Sequence, residues 1–160
     1  MLLSGPNLDL LGERQPQIYG RETLADHVAL AAAEATELGL ELEHRQSNHE
    51  GDLVELVHSA RGRAAAIVVN AGALSHYSWS LADALATFEG VVVELHLSNP
   101  QAREPWRHTS VLAPVVDGSV FGFGGLGYKL AVRAAAELLV ASTRTAPALT
   151  DGAPGSGGSA

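Results

Sequence analysis

The chain contains no cysteine, and this absence removes several kinds of chemistry at once. Without a thiol there is no disulfide, no cysteine-based zinc site and no thiol nucleophile. The seven histidines are scattered without an HExxH or similar spacing of metal ligands, so we expect no metal site. Any catalysis therefore has to use other side chains.

Basic residues are also scarce: 10 Lys and Arg stand against 18 Asp and Glu, and the formal net charge is -8. An acidic field attracts neither nucleic acid nor an anionic membrane, so we expect neither as a partner. No apolar run is long enough to cross a bilayer, and the N-terminus lacks the charged and apolar regions of a secretory signal. A cytoplasmic protein is expected.

Short apolar runs alternate with segments of helical periodicity along the chain. The predicted strands are residues 1–4, 40–46, 65–70, 91–97 and 118–123. The predicted helices are residues 23–38, a second around 53–60 that ends by Gly62, 78–88 and 127–143. This order predicts a doubly wound parallel α/β sheet, and five strands favour the flavodoxin-like order 2-1-3-4-5. We expect one catalytic domain over 1–144 and a disordered low-complexity tail over 145–160.

Polar or glycine-rich residues follow three of the apolar strands. In doubly wound sheets, ligands bind outside the carboxyl ends of the strands, where the strand order reverses between strands one and three. The residues at those ends are Gly5-Pro6-Asn7, Asn70-Ala71-Gly72 and His96-Leu97-Ser98-Asn99. The sequence therefore predicts a site at this edge of the sheet.

The loop GPNLDLLGERQPQIYG, from Gly5 to Gly20, carries Arg14 and Tyr19. A free tyrosine has a pKa of about 10, and a close guanidinium favours its phenolate form. Tyr19 could then act as a base. The alternative is an exposed arginine and a tyrosine that anchors the loop, and the spacing alone favours this second interpretation.

Glu94 and His96 are alternate residues of a strand, so their side chains point to the same face. A carboxylate on an apolar strand is costly unless paired, and pairing with an imidazole orients the histidine for proton donation. A purely structural pair is an equally good interpretation. Beyond the strand, backbone amides near Ser98 can hold a carboxylate, and Arg103 and Arg107 form an i,i+4 pair that could clamp an anion.

The segment NAGALSHYSWSLAD, residues 70–83, holds three further candidates. Asn70 ends a strand, His76 lies just before a helix where an anion is favoured, and Asp83 lies on that helix. Taken singly, a residue at a helix start and a solvated surface charge are the simpler interpretations of His76 and Asp83.

Gly122 to Gly127 spells G-x-G-x-x-G between a strand and a helix, which is the fingerprint of a dinucleotide site. It belongs to the last βα unit, however, and no acidic residue follows a second strand to bind a ribose. Close packing of helix on strand is the better interpretation. A non-enzymatic flavodoxin-like module that binds a nucleotide or flavin through this loop is the alternative function.

Five blocks, in order, resemble those of one family, the type II 3-dehydroquinate dehydratases. The blocks are GPNLDLLGERQPQIYG, RQSNHEGDLVELVH, VNAGALSHYSWSLADAL, ELHLSNPQAREPWRHTS and GFGGLGY. The resemblance runs from about Leu2 to about Arg133. It implies a flavodoxin-like fold, a homododecamer built as a tetramer of trimers, and an anti elimination of water from 3-dehydroquinate to 3-dehydroshikimate through an enolate. No cofactor is implied.

The resemblance also implies roles for individual residues. Tyr19 is the base that abstracts the C2 proton, and Arg14 is the lid residue that favours its phenolate. Asn7 stabilises the enolate. His96 is the general acid that helps the C1 hydroxyl depart, and Glu94 orients it. The remaining matches are substrate-binding positions at Asn70, His76, Leu97, Ser98 and Arg107, a lid-side position at Arg103, and Asp83, which would reach a neighbouring subunit's site.

The chain departs from the family pattern at several positions outside the proposed base and acid, namely Ser4, Asp9, Tyr77, Pro100, Gln101 and Thr109. Because every proposed catalytic residue is present, an inactive homologue that serves only as a scaffold is a weaker hypothesis. The same reaction serves aromatic amino acid biosynthesis and quinate breakdown, so both roles stay open.

Overall fold

A computed structural model describes residues 1–13 and 20–145, with side chains up to Ser142. Its five strands form one parallel sheet in the order β2-β1-β3-β4-β5, which confirms the predicted fold class. The strands are β1 Leu2–Ser4, β2 His44–Gln46, β3 Ala66–Asn70, β4 Val91–His96 and β5 Gly118–Phe121.

Four α-helices cover the two faces of the sheet: α1 Leu24–Glu37, α2 Glu50–Ala60, α3 Trp79–Ala86 and α4 Leu126–Thr145. α1 packs beside α4 on one face, and α2 packs beside α3 on the other. Because successive strand residues point to opposite faces, Leu2 joins the core under α1 and α4 while Leu3 joins the core under α2 and α3. Both leucines are fully buried, as expected for a strand covered on both sides.

The first helix begins where the sequence predicts it. Thr23 accepts a hydrogen bond from the Asp26 amide at 3.2 Å, and the Asp26 carboxylate accepts one from the Thr23 amide at 2.8 Å. This reciprocal capping box satisfies two amides that the helix itself leaves without partners.

The second strand is shorter than the predicted 40–46, because only His44–Gln46 pairs with β1. Leu40 is still tied to the end of α1, where its amide donates to the Ala35 carbonyl at 2.8 Å and Gly39 adopts a φ of 72°. This is a helix-ending motif in which a left-handed glycine closes the last turn. Leu42, like Leu40, packs against the core under α1 and α4 outside the strand ladder.

The other boundaries differ from the predictions by one to three residues. β4 ends at His96 and β5 ends at Phe121. The chain turns away from β5 at Gly122, which has a φ of 85°. The Gly122 backbone amide donates to the His96 carbonyl at 3.1 Å, so the two strands end together. The last helix reaches Thr145, the first residue of the predicted tail, and the rest of that tail lies outside the described residues. None of the described helices is both long and apolar enough to span a membrane.

The glycine-rich Gly122–Gly127 turn serves packing, as predicted. A Cβ atom on Gly125 would lie 2.7 Å from the His27 ring of α1, and one on Gly127 would lie 3.0 Å from Leu95 of β4. A side chain at Gly125 would therefore separate the turn from α1. A similar close approach occurs at Gly5, where a Cβ would lie 2.6 Å from the Ala71 carbonyl oxygen, so the ends of β1 and β3 meet.

Candidate active site

A cavity opens at the carboxyl edge of the sheet, where the sequence predicts a site. Loops after β1, β3 and β4 form its walls. The strand order reverses between β1 and β3, so the connections that leave these two strands run in opposite directions and leave a crevice between them. The lining residues are Pro6, Asn7, Leu8, Leu11, Asn70, Gly72, Ala73, His76, His96, Leu97, Ser98, Pro100 and Arg107. Seven of the twelve predicted site residues are in this set.

Asn7 enters the cavity from the turn after β1. Its φ of 65° is left-handed, a conformation that asparagine tolerates better than most side chains. The backbone amide of Asn7 donates to Asn48 Oδ1 at 2.7 Å, and Asn48 Nδ2 in turn donates to Asp9 Oδ2 at 3.0 Å. Asn48 and Asp9 thus hold the turn that carries Asn7, a contact the sequence does not reveal.

Asn70 is the buried floor of the cavity at the end of β3. Its side-chain amide donates to the Tyr128 hydroxyl at 3.3 Å, and its Oδ1 accepts from the Gly72 amide at 3.4 Å. Burial raises the pKa of Tyr128 to about 12, although hydrogen bonds with Asn70 and Ser4 act in the opposite direction. Tyr128 therefore stays neutral and fixes the orientation of Asn70.

Glu94 and His96 form the predicted pair on one face of β4. Glu94 Oε1 lies 3.0 Å from His96 Nε2, and the glutamate is completely buried. Two serines complete the arrangement. Ser110 donates to both Glu94 oxygens, at 2.8 and 3.0 Å, and the Ser75 hydroxyl lies 3.2 Å from His96 Nε2.

His76 lies beside His96 at the end of the 3₁₀ turn Gly72–His76, with the two rings stacked 6.0 Å apart. Its Nδ1 donates to the Thr109 carbonyl at 2.8 Å. Burial lowers the pKa of His76, although the Thr109 carbonyl acts in the opposite direction. A neutral His76 presents its other nitrogen as an acceptor for a ligand hydroxyl. Its ring also meets the Trp106 indole edge-on at 5.4 Å.

Arg103 and Arg107 converge on the carboxylate of Glu104, and their use as a clamp for a bound anion stays a prediction. Glu104 Oε2 lies 2.8 Å from Arg107 Nε and 3.4 Å from Arg103 Nε. Its own backbone amide, together with the two arginines, holds the pKa of Glu104 below its usual value. Arg103 also donates to Ser98 Oγ at 3.3 Å, and the Arg107 guanidinium lies 4.0 Å from the Trp106 ring centre. The two guanidinium groups can therefore reach a single anion. Arg107 lines the cavity, and Arg103 contacts the lining residue Ser98.

Five predicted site residues are not in this lining. Glu94 and Arg103 contact the lining residues His96 and Ser98, and the described part of the chain does not place the other three at the cavity. Asp83 is exposed on α3 and does not line the cavity. Arg14 and Tyr19 lie outside the described residues. The described part of the loop nevertheless starts at the cavity, since Leu8 and Leu11 line it.

Ser75, Ser110 and Tyr128 are functional candidates that the sequence does not predict. The position of Glu94 on an apolar strand does indicate that a further hydrogen-bond donor must lie nearby, because a fully buried carboxylate needs more donors than one imidazole. Periodicity cannot tell which donor supplies them. Across the described ranges 1–13 and 20–145, no three His, Asp or Glu side chains gather in a way that could hold a metal ion.

Comparison with known proteins assigns the chain to a family. The family model described as dehydroquinase class II matches residues 1–136. The chain belongs to the class II dehydroquinase family. The match includes every cavity-lining residue and ends inside α4.

Relatives within this family are similar over most of their length. The 3-dehydroquinate dehydratase of Halalkalibacterium halodurans is 48% identical over 137 residues, which is 86% of this chain and 94% of that protein. The 3-dehydroquinate dehydratase of Chelativorans sp. is 52% identical over 139 residues, covering 86% and 96% respectively. The crystal structure of type II dehydroquinase from Propionibacterium acnes superposes with a TM-score of 0.81 at 41% identity, over 85% of this chain and 94% of that one.

Proposed function

We propose that this class II dehydroquinase catalyses the elimination of water from 3-dehydroquinate to give 3-dehydroshikimate. The observation that carries the proposal is the buried Glu94–His96 pair beside a cavity that His96 and Arg107 line, with Arg103 bonded to the lining residue Ser98. An oriented imidazole supplies a proton to a leaving hydroxyl, and arginines attract a carboxylate substrate. The relatives named 3-dehydroquinate dehydratase support the choice of substrate.

The departing hydroxyl group is protonated on the β4 side of the cavity. His96 gives its proton to the C1 hydroxyl as the C1–O bond breaks, and the group leaves as water. Glu94 keeps the ring oriented. Since general acid catalysis depends on geometry as much as on proton affinity, a pair fixed on a buried strand is well suited to this step.

The proton at C2 is removed on the loop side. Tyr19 takes this proton as a phenolate, and the Arg14 guanidinium favours that charged form. The electron pair of the C–H bond moves into an enolate, which Asn7 stabilises. The electron pair of the enolate then forms the C1–C2 double bond as the C1 hydroxyl departs. The reaction therefore needs no oxidant, reductant or cofactor. A lid carrying the base would also exclude water while the site assembles.

The substrate carboxylate and hydroxyls are held by residues from all three strand ends. The Leu97 and Ser98 amides bind the carboxylate, and Arg103 and Arg107 supply positive charge at the rim. Asn70 and His76 bind hydroxyl groups through their oriented side chains. Asp83 would reach the site of a neighbouring subunit in a dodecamer made of four trimers, and its exposure on α3 supports this role. A cytoplasmic location stays a prediction.

The proposal is tested by adding 3-dehydroquinate and following the absorbance of the conjugated enone in the product. We expect turnover by the wild-type chain and none by Tyr19→Phe, which keeps the ring and removes the phenolic base. Tyr77→Phe is the matched control, because Tyr77 is exposed and does not line the cavity. Folded wild-type protein that gives no rise in absorbance would refute the activity, and an active Tyr19→Phe would remove Tyr19 as the base. Light scattering tests the dodecamer separately.

A further inference from the structure

We propose that Ser110 is a positioning residue that acts through Glu94 to fix a proton on Nε2 of His96, so that Nδ1 is the nitrogen that delivers the proton to the substrate. This inference rests on the proposed function for its kinetic consequence. The location of the proton rests on geometry alone. Neither Ser110 nor the choice of nitrogen follows from the sequence pattern.

Two acceptors face the same nitrogen of His96. Glu94 Oε1 lies 3.0 Å from Nε2, and Ser75 Oγ lies 3.2 Å from it. The Ser75 hydroxyl already donates its hydrogen to the Gly72 carbonyl at 3.0 Å, so toward His96 its oxygen acts as an acceptor. A bare Nε2 would face two acceptors without a hydrogen between them. A proton on Nε2 satisfies both contacts.

Ser110 decides how Glu94 can meet the imidazole. Its oxygen accepts the backbone amides of Leu112 at 3.1 Å and Ala113 at 3.2 Å. With both lone pairs occupied, the hydroxyl hydrogen can only be donated, and both Glu94 oxygens lie within 3.0 Å to receive it. Glu94 is thereby held as an acceptor toward His96.

The Ser110 contact is important because Glu94 is fully buried and has few other partners. No described lysine or arginine forms an ion pair with it, and His96 is its only charged or titratable partner among the described salt bridges. A buried carboxylate that loses a donor becomes much less stable in its position. Removing Ser110 would let Glu94 turn away from Nε2 and release the ring.

The remaining nitrogen of His96 is left for chemistry. None of the hydrogen bonds to described residues uses Nδ1, and His96 lines the cavity. The ring cannot easily flip to exchange its nitrogens, because it stacks on His76 and meets Phe121 edge-on at 4.9 Å. Proton delivery from Nδ1 forms the new O–H bond of the leaving water and returns the imidazole to its neutral form, protonated on Nε2.

The kinetic test compares Ser110→Ala with Ser110→Thr, which keeps the hydroxyl. We expect kcat to fall about 10-fold to 100-fold in the alanine variant, because one hydrogen bond to a charged group is lost. KM should change little. Threonine should restore most of kcat. Ser59→Ala is the control, because Ser59 is an exposed helical serine whose hydroxyl donates to the Leu56 carbonyl of its own helix. A change in KM alone, a kcat within twofold of wild type, or a loss that threonine does not restore would overturn the role of Ser110.

Neutron diffraction from crystals grown in D₂O tests the proton itself. In crystals at alkaline pH we expect a single deuteron on the His96 ring, bound to Nε2 and directed between Glu94 and Ser75. A deuteron only on Nδ1 would overturn the assignment. This result does not depend on turnover, so an inactive wild-type chain would refute the proposed function and still leave the proton assignment to be judged on its own.

Discussion

Two glutamates of this chain are buried to the same extent and have opposite surroundings. Glu34 lies between α1 and α4, where Lys129 Nζ is 3.0 Å from Oε2 and Arg133 pairs with Oε1. Glu94 lies on β4, where a histidine and a serine hydroxyl are its partners. Both side chains have a relative exposure of 0%.

The difference lies in the kind of partner and in where the pair lies. Burial raises the pKa of Glu34, but Lys129 and Arg133 more than offset this, so its pKa lies below the ordinary 4.5. Both partners of Glu34 lie on α4, so these ion pairs link α1 to α4 away from the cavity. The partner of Glu94 is an imidazole, the side chain most often used to carry protons in catalysis, and it lines the cavity, which makes the Glu94 pair suitable for chemistry.

The largest effect on activity is expected at Glu94, the glutamate whose partner is a histidine of the cavity. Glu94→Gln keeps the size of the side chain but removes its charge, and its amide group would present hydrogens to His96 Nε2 or to Ser110. We expect kcat to fall about 100-fold to 1,000-fold, within the range for a general acid, while the Tm changes little. Steady-state kinetics and thermal unfolding of the same samples measure both. Nearly full activity would show that the two glutamates do not differ as described.

The reverse outcome is expected at the other glutamate. Glu34→Gln should lower the Tm by several degrees, because Lys129 and Arg133 lose their anion, while kcat measured well below the Tm stays unchanged. Glu37→Gln, one turn along on the exposed face of α1, is the control and should leave the Tm unchanged.

The Glu34 contribution should also depend on pH in a defined direction. Its folded pKa lies below its unfolded value, so its stabilisation is fully present above about pH 4.5 and is lost as the pH falls through the folded pKa. The difference in Tm between wild type and Glu34→Gln should therefore shrink in acid. A difference that grows in acid would contradict an ionised Glu34.

The smallest effect is expected for a glutamate that has arginine partners but is not buried. Glu43 pairs with Arg45 at 2.8 Å and Arg63 at 2.9 Å, and a third of its side chain is exposed. Water screens such pairs, so Glu43→Gln should leave both Tm and kcat within experimental error. A loss of Tm as large as that of Glu34→Gln would mean that burial is not what separates these sites.

The sheet and its order could be predicted because apolar runs and helical periodicity are local signals. β3 and β4 were predicted, to within one residue at each end, because residues 65–70 and 91–97 are mostly apolar on both faces. The predicted length of the second strand was wrong, because the turn that ends α1 at Gly39 competes with strand pairing and β1 offers only three pairing residues.

The pair of Glu94 and His96 was predictable for the same reason, since a period of two places both on one face. Its supporting residues were not. Ser110 and Glu94 are sixteen positions apart in the sequence, and Tyr128 and Asn70 are fifty-eight positions apart. No periodic pattern connects such positions, and only the folded chain brings them together.

The chain has two tryptophans, and Trp106 packs against two cavity-lining residues, His76 and Arg107. Its indole lies under the Arg107 guanidinium and against the His76 ring, while Trp79 is exposed at the start of α3, away from the cavity. Indole fluorescence responds to nearby charge and water. An anion that draws Arg107 off the ring would change this emission, so in a Trp79→Phe background occupancy of the cavity can be followed optically, even with compounds that never react.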